Sequence, residues 1–202
     1  PETDPAYANG IRRALVTRSE SGRNRGCSLT WVWDAQIWAR LYDGEKAFHE
    51  LGFTIKNNVM DNLLISLLDW RSESTTLDWF QRKIFQIEAS IGAVAAIAEL
   101  FFQDRGGLLR LLPALPVALP VGSIRGLKAR GGFSVDIGWD LGVLFEASIR
   151  SERGEKCTLK CFGGTADLVV EHAGEIIART GTGEVAFDTI VGGTYNVRPA
   201  DR

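Results

Sequence analysis

Apolar residues recur at helical spacing through the first hundred positions and at alternating spacing beyond residue 130. After Pro5, residues 6–17 set Ile11, Ala14 and Leu15 on one side and turn Arg12 and Arg13 largely away, which predicts a first helix. A polar loop from Arg18 to Gly26 follows. Trp31, Ala35, Trp38 and Tyr42, widened by Val32 and Ala39, predict a second helix that Asp43-Gly44 closes. A third begins at Glu45 and is predicted to run towards Leu68, although Gly52 and Asn57-Asn58 interrupt its middle. The stretch Asp69 to Lys83 is polar and irregular. Ala89 to Phe102 then carries only Ser90 and Glu99 as polar side chains. Such a helix spans about 21 Å, short of the ~30 Å hydrocarbon core of a bilayer. It reads as a buried helix, and Gly92, Ala93, Ala95, Ala96 and Ala98 would let neighbours approach closely.

Gln103 to Gly107 reads as a turn. Pro113, Pro116 and Pro120 forbid a regular helix in the next stretch, while Leu112, Leu115 and Leu119 argue against a solvated linker. The segment is predicted to be an extended strap packed between two domains. Past Gly122 the period becomes two: Phe133, Val135 and Ile137 alternate with Ser134, Asp136 and Gly138. Further short runs follow at 143–149, 157–162, 168–171, 176–179, 185–187 and 195–197, separated by glycine-containing turns, which predicts an antiparallel β-domain. The expected organisation is therefore α+β and multidomain: helices over 1–111, a proline-rich strap over 112–122, and a β-domain over 123–202.

Composition sharpens this picture in two places. Six Trp all fall before residue 140, whereas the 22 Gly concentrate in the C-terminal half, as a helical part followed by a hairpin-rich part would require. Twenty-three Lys and Arg against 25 Asp and Glu leave no basic excess, which argues against a nucleic-acid or anionic-membrane partner. Cys157 and Cys161 sit four apart on a predicted strand, ~13 Å from each other and beyond disulfide reach. His49 and His172 form no ligand pair with them, so neither a metal nor a cofactor is expected. Both histidines read as structural or exposed. The polar opening Pro-Glu-Thr-Asp-Pro, without an initiator Met, reads as a cut end with no signal peptide.

The chemistry-bearing candidate is Glu88, one residue before the apolar helix. A carboxylate there faces unsatisfied N–H groups and the positive end of the helix dipole, the setting of an oriented general base. The same electrostatics favour Glu in any first helical turn, so spacing alone leaves both readings open.

Five strings in order carry a resemblance: Trp38-Ala-Arg-Leu-Tyr-Asp-Gly44, Phe85-Gln-Ile-Glu88, Ala98-Glu-Leu100, Leu111-Leu-Pro-Ala-Leu-Pro116 and Gly126-Leu-Lys-Ala-Arg-Gly-Gly-Phe133. Val135 to Trp139 and Gly142 to Leu144 extend it. Together they resemble the C-terminal part of glycoside hydrolase family 95, the inverting α-L-fucosidases. The resemblance implies the last helices of an (α/α)6 barrel followed by a β-sandwich-like domain. It also implies hydrolysis of terminal α-linked fucose, or galactose in some members, from an oligosaccharide or glycan, and commonly export as a secreted or periplasmic protein. The family's Phe-Gln-Ile-Asp-Gly-Asn places its catalytic base on Glu88 and a substrate-binding Gln on Gln86.

Departures from that pattern are specific. Glu88 is one methylene longer than the family's Asp, Ala89-Ser90 replaces Gly-Asn, and Arg82-Lys83-Ile84 replaces His-Pro-Pro, putting Arg82 where a substrate-binding histidine stands. The family's general acid, its asparagine pair and an Arg-His clamp align upstream of Pro1. The chain alone is thus expected to be inactive, needing a missing N-terminal portion or a homo-oligomer. The alternative is a non-catalytic paralogue kept for carbohydrate binding or assembly. A partial set of helices is also expected to expose Trp31, Trp38 and the 89–102 face.

Overall fold

Asp4 and Asp43 start two helices by accepting hydrogen bonds from the N–H groups of Tyr7 and Lys46, at 2.9 and 3.1 Å. Pro5, whose missing N–H costs nothing in a first turn, follows Asp4. The computed structural model describes residues 4–21, 27–69, 83–164 and 167–200. Among them are helices α1 (Pro5–Glu20), α2 (Ser28–Arg40), α3 (Gly44–Asn58) and α4 (Ile87–Phe101). Most of the expected irregular stretch, residues 70–82, lies outside the described residues.

Helix α3 ends ten residues earlier than its leucines predict. Asn57 and Asn58 turn their side-chain amides back to carbonyl oxygens of Phe53 and Ser66, and Val59 leaves in an extended conformation. Such side-chain bonds offer the backbone an alternative to the helix. Leu63 then sits at φ 66° and is largely exposed.

The chain forms two compact units divided between Glu99 and Leu100. In the first, α4 buries a stripe of small residues, Ala89, Ala93 and Ala96. A Cβ added at Gly92 would come within 2.7 Å of Val32 Cγ1, so α2 and α4 approach where no side chain intervenes. Gln36 Nε2 also donates to the Gly92 carbonyl at 3.0 Å. Trp31 packs edge-on against Phe53, and Trp38 is buried with Lys46 Nζ 4.3 Å from its ring centroid. The expectation that both tryptophans face outward is therefore corrected, because α3 covers that face of α2. The other side of α4 is uncovered: Ile87, Ile91, Val94 and Ile97 are 53, 64, 68 and 42 % exposed.

Among the described residues the second unit has ten strands: β1 (Phe102–Arg105), β2 (Leu108–Leu111), β3 (Gly122–Ala129), β4 (Phe133–Asp140), β5 (Val143–Ser151), β6 (Cys157–Cys161), β7 (Leu168–His172), β8 (Glu175–Thr180), β9 (Glu184–Phe187) and β10 (Thr194–Pro199). They form a four-stranded sheet, β1-β2-β6-β9, and a six-stranded sheet, β3-β4-β5-β10-β7-β8. Pairing is antiparallel except between β2 and β6. Residues 102–111, expected to close the helical part, are instead the β1–β2 hairpin of this second unit. Gly106 and Gly107, both at positive φ, make its two-residue turn, which a polar pattern alone does not separate from a helix end.

Alternation sets the core. Phe133, Val135, Ile137 and Trp139 of β4 point inward with Leu144, Ala147 and Ile149 of β5 and Tyr195 and Val197 of β10. The stretch 112–120 is irregular, with turns at 113–114 and 117–118 where an extended strap was expected. Within this unit its Leu112 and Ala114 N–H groups donate to the Phe101 and Leu100 carbonyls. Trp139 stacks on Phe101 with centroids 4.9 Å apart and donates its indole N–H to the Leu119 carbonyl. A Cβ on Gly122 would lie 2.5 Å from that indole, which explains the glycine.

Candidate active site

The segment leading into α4 is held by backbone. Leu67 N–H donates to the Ile84 carbonyl at 2.7 Å, and Gln86 N–H donates to that of Ile65 at 2.9 Å. These bonds set Gln86 just outside α4 and Glu88 in its first turn. Glu88 is exposed, and among the described residues its carboxylate has no hydrogen-bond or ion-pair partner. Ser90, where the resemblance puts an Asn, accepts from Ile65 N–H at 3.4 Å and donates to the Gln86 carbonyl at 3.5 Å.

Gln86 does something the sequence reading missed. Helix α2 starts after Cys27 without a side-chain cap of its own. Gln86 Oε1 accepts from Ser28 Oγ at 2.7 Å and from Leu29 N–H at 3.0 Å, taking over one of the helix's free donors. Its Nε2 lies 3.8 Å from Cys27 Sγ. Both lone pairs of the amide oxygen are thus spent, and among the described residues one N–H is left without a partner. The available signal was the lack of a capping side chain at Cys27, but its partner stands 59 positions away.

Burial pushes the Cys27 thiol up, yet hydrogen bonds from the Thr30 side chain and backbone, from Gln86 and from Leu29 N–H outweigh it, and the net shift is downward. Arg82, the other sequence-predicted binding residue, lies outside the described residues. The structure brings Gln86 and Glu88 onto one helix start, with Glu88 outward and Gln86 turned to α2. His49 Nδ1 lies 3.8 Å from the carboxylate of buried Glu50, and His172 donates to the Thr194 carbonyl while stacked on Tyr195. Among the described residues no group of three or more His, Cys, Asp or Glu could hold a metal ion.

Comparison with known families decides what this arrangement belongs to. Residues 1–101 match the glycosyl hydrolase family 95 catalytic domain, and residues 103–197 match the family's C-terminal domain. The chain belongs to glycoside hydrolase family 95. The junction between the matches falls where α4 gives way to β1, at the boundary the two compact units mark.

Similar family proteins include alpha-L-fucosidase 2 of Arabidopsis thaliana, 36 % identical over 156 residues, covering 75 % of this chain and 17 % of the relative. The probable alpha-fucosidase A of Aspergillus oryzae is 31 % identical over 153 residues, covering 67 % and 20 %. Its counterpart in Aspergillus niger is 28 % identical over 154 residues, covering 70 % and 18 %. The chain thus spans about a fifth of the length of the curated relatives it matches.

Proposed function

We propose that the chain is the C-terminal segment of a family 95 hydrolase that cleaves terminal α-L-fucosyl, or α-L-galactosyl, linkages of an oligosaccharide or glycan with inversion. The observation that carries this reading is the unbroken succession of two family matches, catalytic then C-terminal, with relatives named as fucosidases. An exported parent, secreted or periplasmic, belongs to the same reading.

In such a reaction a carboxylate takes a proton from water as the water attacks the anomeric carbon. A carboxylic acid on the far side protonates the departing oxygen, and the two groups stand ~6.5–9.5 Å apart. We assign the base to Glu88, whose carboxylate points outward and has no partner among the described residues. Gln86, through its one remaining amide N–H, and Arg82 would orient the sugar. No residue of this chain is assigned as the acid, so the chain is incompetent alone. The uncovered face of α4 supports the same view, since Ile91 and Val94 call for further helices against them.

A second reading, a non-catalytic relative that binds sugar or serves assembly, is favoured by one observation: the Gln86 side chain is committed to capping α2. Assay of the parent polypeptide on an aryl α-L-fucoside, with the product anomer followed by NMR, separates the two. Turnover with inversion, lost in Glu88→Gln, is expected. A parent that binds fucose without turnover would establish the second reading, equal rates in Glu88→Gln would remove the base assignment, and turnover by the 202-residue chain alone would overturn its incompetence.

A further inference from the structure

Along the outward face of the six-stranded sheet, register places polar side chains in rungs. Asp136 of β4 lies beside Ser148 of β5, Ser148 beside Asn196 of β10, and Asn196 beside Glu171 of β7. Four strands at the usual spacing make this rung about 14 Å long. In the neighbouring rung Ser123 lies beside Gly138 and Gly138 beside Glu146. Gly138 contributes no side chain between them, and the sheet is hollowed there. The resulting groove has a volume of about 380 Å³ and is walled on one side by Arg125 and on the other by Arg198 and Glu171. That size falls within the range of small-molecule sites, ~300–1,000 Å³.

Two walls of the groove are fixed. Arg198 donates from Nε and Nη2 to Glu171 Oε1 at 3.2 and 2.6 Å. Asp136 Oδ1 accepts from Gly126 N–H at 2.7 Å, tying down the bulge that interrupts β3 beside Arg125. Among the described residues, the side chains of Arg125, Glu146 and Asn196 have no hydrogen-bond or ion-pair partner.

The charges decide the ligand class. The Arg198–Glu171 pair is internally compensated, and Arg125 and Glu146 bring opposite signs with neutral Ser148 and Asn196 between them. An anion would meet Glu146 and Asp136, and a cation would meet Arg125. A neutral ligand carrying many hydroxyls can donate to the carboxylates and accept from the guanidinium and amide together, and planar side chains of these types pair with adjacent hydroxyls in two-point fashion.

We propose that this groove on the C-terminal β-domain is a second, non-catalytic binding site for a neutral oligosaccharide, built from Arg125, Asp136, Glu146, Asn196 and the floor at Gly138. Its choice of saccharide rests on the fucosidase reading; its existence does not. Among the described residues no aromatic side chain lines the groove, so affinity comes from hydrogen bonds.

The test is titration of the isotope-labelled 202-residue chain with 2′-fucosyllactose, and separately with sodium sulfate, observed by NMR. Saturable shifts of the Gly138, Glu146 and Asn196 amides with the saccharide are expected, and none with sulfate. Gly138→Val fills the floor: a Cβ there meets nothing nearer than Glu146 Cγ at 3.6 Å, and φ lies outside the left-handed region. Gly138→Val and Asn196→Ala should each weaken binding at least tenfold, with an unchanged melting temperature and unchanged aryl-fucoside hydrolysis by the parent. Absence of groove shifts, saturation by sulfate instead, or undiminished binding in both variants overturns the proposal. A parent that hydrolyses normally while the groove stays silent would overturn this inference alone.

Discussion

Gln86 is where a helix cap and the proposed sugar contact share one side chain. Ser28 is fully buried, so losing the Gln86 amide leaves its hydroxyl and the Leu29 N–H without their partner. Gln86→Leu should cost about 1–3 kcal/mol of stability, the penalty of buried unsatisfied groups. Gln86→Glu, whose carboxylate can accept both bonds, should recover most of it. Thermal unfolding of the 202-residue chain checks this; an unchanged melting temperature in Gln86→Leu would show that the cap carries no weight. The three thiols make a second residue-scale contrast. Burial pushes Cys157 up to about 12 and Cys161 to about 11, whereas Cys27, half-exposed at the start of α2, is shifted down. A lowered pKa means more thiolate at a given pH, and thiolate is the form that alkylates. Iodoacetamide at pH 8 should therefore label Cys27 alone in the native chain, with Cys157 and Cys161 reacting only after denaturation. Equal labelling of all three by peptide mass would contradict the burial.

Elements were legible in proportion to how far a single periodicity decides them. β4 alternates without a break from Phe133 to Asp140, and the structure has the same inward and outward sets. The fourth helix was equally plain, from its fourteen nearly uninterrupted apolar positions. Where two rules competed, the sequence misled. The leucines after Asn58 continued a helical stripe, but the asparagine amides ended the helix, and a stripe cannot show that. β1 and β2 are four residues each and joined by two glycines, too short for alternation to separate them from a helix end and turn. Of the candidate site, Glu88 was visible because a helix start lies within a few positions of it. The Gln86–Ser28 contact joins residues 58 positions apart, and no local pattern reaches that far. The polar groove of the second unit was hidden for a related reason: Asp136, Ser148, Asn196 and Glu171 become neighbours only through the strand order β4-β5-β10-β7.

At the scale of the whole molecule, the unspent face of α4 is the dominant feature of the helical unit. Ile87, Ile91, Val94 and Ile97 stand on the side opposite the alanine stripe, and each keeps a large part of its surface in water. At about 25 cal/mol per Å² of apolar area, covering four such side chains is worth several kcal/mol, a sizeable fraction of the ~5–15 kcal/mol that holds a typical domain folded. The chain on its own should therefore self-associate, with a mass by light scattering above the 22.2 kDa of one copy. Ile91→Lys with Val94→Glu should shift it towards the monomer without lowering the melting temperature, because neither side chain is buried within its own unit. A monomer at tens of micromolar in the unaltered chain would refute the prediction. The same pair of substitutions separates the two ways of covering the face. If a second copy is the natural cover, the parent polypeptide should tolerate them and lose only its oligomeric state. If helices of the parent's own catalytic domain lie there, two charges would be forced into a packed interior, and the parent should fail to fold while the isolated chain remains sound.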